Sequence, residues 1–131
     1  MTMIFVPIRT STGLNAREAW HTRSRRVRAE REATAWLLRG ATRPPIPCSV
    51  LLTRCAPSGG LDDDNLTGAL KGIRDEVAKW LGIDDRHSAQ VRYVYAQCRT
   101  APGVWGVRIE FGEPMSGAQL VLGEADFRLG Q

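Results

Sequence analysis

The sequence predicts one α+β domain: a mixed β-sheet of about four strands packed against two helices, in the chain order β-α-β-α-β-β. Three observations carry this expectation. Four short runs read as strands, and the last two alternate apolar and polar residues. Two longer segments repeat their apolar residues at helical spacing. The chain of 131 residues, 43% of them hydrophobic, fits a single domain spanning 1–131 with a core of its own.

The elements follow in order. Met3 to Ile8 (MIFVPI) reads as a first strand, and Pro7 suggests a sheet edge or a strand end. Asn15 followed by Glu18 forms a capping-box pair, from which a helix runs to about Arg39 and stops at Gly40. Its apolar residues are sparse at first (Ala16, Ala19, Trp20, Val27) and denser later (Ala33, Trp36, Leu37). The first half is therefore expected to stand out from the core, exposing Arg17, Arg23, Arg25, Arg26, Arg28 and Arg31. Thr42 to Pro47 holds three prolines and cannot be regular. Cys48 to Cys55 is the second strand, followed by a Pro57-Ser58-Gly59-Gly60 loop. Asp62 to Asn65 opens a second helix, with Leu66, Leu70, Ile73, Val77, Trp80 and Leu81 at helical spacing and Gly82 at its end. Gln90 to Cys98 and Val104 to Phe111 both alternate across an Ala101-Pro102-Gly103 turn, so a hairpin is expected there. The tail holds one short apolar run, Leu120-Val121-Leu122.

Composition excludes several classes. No apolar run approaches the ~20 residues of a membrane span. The start lacks the pattern of a secretory signal. Cys48, Cys55 and Cys98 make an odd count without CxxC spacing, which excludes a zinc ribbon and argues for free thiols on strands in a reducing, cytoplasmic setting. Two histidines leave little room for a His-based zinc site or a Ser-His-Asp triad. Charge is unevenly spread. Residues 1–45 carry nine Lys/Arg against three Asp/Glu, residues 46–99 seven of each, and residues 100–131 two against four. A basic segment beside an acidic one suits a protein that grips phosphates and holds a cation.

The acidic segment carries the chemistry. Asp62, Asp63, Asp64, Asp75, Asp84 and Asp85 crowd into 24 positions. Like charges at that density repel unless something compensates them. Each has an ordinary explanation: a helix cap, a favourable first-turn acid, or turn residues after a glycine. In combination they say more. At about 100° per residue, Lys71 lies about −20° from Asp64, Asp75 about +20° and Gly68 about +40°, so the four share one stripe. Carboxylates with a lysine and no histidine suit a hard cation such as Mg2+, which takes oxygen ligands, activates water and stabilises a phosphate transition state. An EF-hand fails, because counting from Asp62 the sixth position is Thr67 and the twelfth Ile73. No Walker A loop occurs.

The stretch L-D-D-D-N-L at Leu61 to Leu66, with Lys71 and Asp75 beyond it and I-D-D at Ile83 to Asp85, resembles the RusA family of Holliday-junction resolvases. Gln90-Val91 opens the next strand as in that family. The resemblance is specific over residues 61–91. It implies a Mg2+-dependent endodeoxyribonuclease, with Mn2+ able to substitute, that nicks opposing strands of four-way DNA. It implies a homodimer, bacterial or phage-encoded, working in recombination and repair. By carry-over, Asp62, Asp64 and Asp85 are catalytic metal ligands and Asp84 joins them. The lysine of the best-known members falls at Gly68 here, and Lys71 stands one turn later to take its place. The arginines from Arg17 to Arg31 would contact DNA phosphates. Two other readings stay open: a nuclease for other branched DNA, and a non-catalytic DNA-binding protein.

Overall fold

The computed structural model describes residues 3–10, 19–83 and 89–114. Its elements are β1 (Met3–Val6), α1 (Trp20–Arg39), β2 (Cys48–Ala56), α2 (Asp63–Leu81), β3 (Val91–Arg99) and β4 (Gly106–Gly112). They form one mixed four-stranded sheet with two helices, the α+β order that the sequence predicts. β1 ends at Val6 rather than Ile8, because Pro7 has no amide hydrogen to extend a ladder. The expected Asn15–Glu18 cap, Arg17 and the Leu120–Leu122 run lie outside the described residues.

The sheet order is β1-β4-β2-β3. β2 and β3 run parallel, and β4 is antiparallel to both β2 and β1. This corrects the expected hairpin: β3 and β4 do not pair, because β2 lies between them. The helix α2 is the crossover that returns the chain to run β3 parallel to β2. The amide of Thr100 then donates to Ala56 O at 3.0 Å, holding the chain at the end of β2 as it leaves β3. Six residues from Thr100 to Trp105 bridge the two strand spacings, about 10 Å, to β4. Gly103, at φ 85°, supplies the left-handed turn. The swap suits β2, which is buried at eight of its nine positions and so needs a partner on each edge.

One cluster forms the core. Val50 and Leu52 of β2, Val107, Ile109 and Phe111 of β4, and Val6 of β1 meet Leu66, Leu70, Ile73 and Val77 of α2 and Leu38 of α1. The buried face of α2 is the one its periodicity predicts. Trp80 completes it, its ring centroid 5.4 Å from that of Phe111.

The helix α1 buries only Glu30, Thr34 and Leu38, as its sparse apolar pattern implies. It approaches α2 closely at Gly72, where an added Cβ would stand 3.3 Å from both Val27 and Glu30. Two of the arginines expected to be exposed are drawn into this contact. Arg26 Nη1 pairs with the buried Glu30 at 3.0 Å, and Arg31 Nε pairs with Glu76 of α2 at 3.5 Å. Both arginines are half-buried. A carboxylate placed between packed helices needs a cation, which sparse apolar spacing alone does not reveal. Among the described residues, no helix is long and apolar enough to cross a membrane.

Candidate functional site

The chain leaves the sheet at Ala56 and reaches α2 through an acidic turn. That turn is held from the sheet side. The side chain of Gln97, on β3, accepts from Leu61 N at 2.7 Å and donates to Leu61 O at 2.8 Å. Gly60 permits the approach, since a Cβ there would lie 3.3 Å from Gln97 Oε1. One residue later Asp62, in extended conformation, caps α2: its Oδ1 accepts from Asn65 N at 2.9 Å. Asp63 and Asp64 occupy the first turn, where the helix dipole favours negative charge. Asn65 and Leu66 are buried, and Asp62, Asp63 and Asp64 face solvent. Three carboxylates are thus presented outward from a turn fixed on both sides.

Lys71 and Asp75 share a stripe as their spacing predicts, joined by an ion pair of 2.8 Å. Lys71 is exposed and Asp75 half-buried. Gly68 is half-buried on the same helix. On α1, Arg23, Arg25 and Arg28 are exposed, while Arg26 and Arg31 serve the ion pairs described above. An open groove between α1 and α2 is lined by Arg28, Arg31, Glu32, Glu76 and Lys79. Arg17, Asp84 and Asp85 lie outside the described residues. A separate cleft of about 450 Å³ opens at the other end of β2, between the Thr42–Pro47 loop and the end of β4.

The donor chemistry fits Mg2+ in part. Asp62 and Asp64 supply oxygen donors, and Mg2+ commonly takes one or two carboxylates together with substrate phosphates and water. Among the described residues, no three His, Cys, Asp or Glu side chains gather to hold a metal ion. The length of α2 matters here. Its 19 residues rise about 28 Å, so the acidic turn and the Gly82 end are far apart.

Two features escape sequence reading. Gln97 sits in an ordinary alternating strand, and nothing in one sequence pairs it with Leu61. Arg54 is a cation buried within β2, donating from Nε to Thr10 Oγ1 at 3.0 Å. Burial pulls its pKa down from the ordinary arginine value. A charged residue inside CSVLLTRC was the available signal.

No family model matches the chain, and no curated protein matches it.

Proposed function

We propose that this protein is a Mg2+-dependent endodeoxyribonuclease that resolves four-way DNA junctions by paired nicks. The observation that carries the reading is the acidic turn: Gln97 and the Asp62 cap hold the backbone while the Asp62 and Asp64 carboxylates face outward. Outward oxygen donors carried on a rigid element are what metal-assisted phosphodiester hydrolysis would draw on. The bound Mg2+ would supply a Lewis acid for the phosphate and lower the pKa of water. Lys71, held by Asp75, is the cation available to offset charge on the phosphate. Exposed Arg23, Arg25 and Arg28 supply backbone contacts that favour affinity over sequence preference.

In this reading Asp85, with Asp84 beside it, completes the ligand set. Asp85 follows Ile83 by two residues in sequence. A homodimer, as the resemblance implies, would set two such acidic sites against one four-way junction.

A second reading is a non-catalytic DNA-binding protein. It needs only the exposed Arg23, Arg25 and Arg28 of α1 beside an Asp-capped helix. The assay that separates the two is cleavage of a labelled synthetic four-way junction against linear duplex and forks, with Mg2+ and with EDTA. Symmetric Mg2+-dependent nicks on the junction, lost in Asp64→Asn while binding persists, are expected. Cleavage of forks in preference would point to a nuclease for other branched DNA. Tight junction binding without cutting in Mg2+ or Mn2+ would favour the binding protein.

A further inference from the structure

The face of the sheet opposite Val50 and Leu52 carries a pair of thiols with no part in the acidic site. Cys55 on β2 and Cys98 on β3 are register partners in the parallel ladder. Register partners point to the same side of a sheet, and neighbouring strands lie about 4.8 Å apart. That spacing falls inside the window of about 4.4–6.8 Å between Cα atoms that a disulfide spans. Each thiol donates to a backbone carbonyl of its own strand, Cys55 Sγ to Thr53 O at 3.7 Å and Cys98 Sγ to Arg99 O at 3.8 Å. Cys55 is buried and Cys98 half-exposed.

We propose that Cys55 and Cys98 are a reversible oxidation site that closes to an intramolecular disulfide when the protein meets a peroxide. Cys98 is the half reached from solvent. Its sulfur attacks the peroxide O–O bond, giving Cys98 sulfenic acid and, from hydrogen peroxide, one water. The Cys55 sulfur then attacks the Cys98 sulfur, forming the S–S bond and releasing the second water. Two thiols give up two electrons and two protons, and the peroxide takes both. A dithiol reverses the bond by exchange.

The pair is built for this division. β3 is an edge strand bound only to β2, so it can close the remaining Cβ gap without dragging a second neighbour. Cys48, seven residues before Cys55 on β2, points to the opposite face and serves as an internal control. The bond would also lie one residue from Gln97, whose side chain holds the acidic turn.

The test treats the folded protein with hydrogen peroxide, alkylates the remaining thiols after unfolding, and maps peptides without reduction. Loss of two thiols, a linked Cys55–Cys98 peptide, alkylated Cys48 and full recovery with dithiothreitol are expected, at a rate independent of protein concentration. In Cys55→Ser, a dimedone adduct should accumulate on Cys98 well above the wild-type level. Sulfinic acid on Cys98 with Cys55 still alkylated, a Cys98 link between chains, or equal dimedone trapping in both proteins would overturn the proposal.

Discussion

Replacing Gln97 by alanine removes both hydrogen bonds that tie Leu61 to β3, at 2.7 and 2.8 Å. A hydrogen bond of this kind contributes about 0.5–1.5 kcal/mol net, so the loss of both should cost about 2 kcal/mol. With a urea slope near 2 kcal/mol/M for a domain of this size, the unfolding midpoint should fall by about 1 M. The slope itself should hold, since Gln97 is only half-buried and the core is untouched. Gln97→Glu is the sharper variant. An ionised carboxylate can still accept from Leu61 N, but it faces Leu61 O with no proton to donate. The folded state then favours the protonated acid, so the folded pKa rises above the unfolded value of about 4.3. With more protons bound in the folded state, stability falls as pH rises through that window and returns as pH falls. Urea unfolding at pH 7 and pH 4, with amide exchange at Leu61, measures both effects. A midpoint within error of wild type in both variants, with Leu61 exchange unchanged, would refute the clamp.

The other expectations follow from the same geometry. Arg25→Glu with Arg28→Glu should weaken DNA binding and flatten its salt dependence with little change in unfolding, because both side chains are exposed; an unchanged salt slope would remove α1 from the DNA contact. Arg31→Ala should destabilise by about 1 kcal/mol in urea unfolding, the partly exposed pair being screened while Glu76 is left short of a partner. Gly72→Leu should cost about 1–3 kcal/mol by overpacking against Val27 and Glu30, whereas Gly72→Ala should stay near neutral as helix propensity offsets the contact. Leu70→Ala, at a site with no exposure, should cost about 2–5 kcal/mol by thermal or urea unfolding.

Local pattern made the element order, the buried face of α2 and its capping acids legible. Leu66, Leu70, Ile73 and Val77 recur at helical spacing and need no partner to declare their face. Pairing was another matter. The alternation of QVRYVYAQC and VWGVRIEF shows two strands but not what lies between them, and the burial of β2 at eight of its nine positions decides that. The roles of Arg26 and Arg31 depend on Glu30 and Glu76, carboxylates four and 45 positions away, so one helix's pattern could not separate structural arginines from exposed ones. The Leu61–Gln97 link spans 36 positions and is equally invisible locally.

The length of α2 turns the proposed metal site into a question about copies. Asp62 caps one end of the helix, and the other end stands about 28 Å away. Asp85 is tied to Ile83 by two peptide units, a reach of about 8 Å. Two aspartates sharing one Mg2+, with metal–oxygen bonds near 2.1 Å, need Cα atoms within about 12 Å. A site that joins the two ends of α2 within one chain would have to close a span on the order of the helix length, and a site shared between two copies would not. The alternative to a site in one chain is a homodimer in which Asp85 of one copy meets Asp62 and Asp64 of the other. Mixing decides it. If the site is shared, Asp64→Asn and Asp85→Asn are each inactive alone. A heterodimer of the two carries one doubly altered site and one intact site. With random exchange, half the dimers are mixed and half their sites intact, so nicking should return to about a quarter of the wild-type level. No recovery after verified subunit exchange would mean that Asp85 does not join Asp62 and Asp64 across copies, leaving those two carboxylates to hold the cation with water and the DNA phosphate.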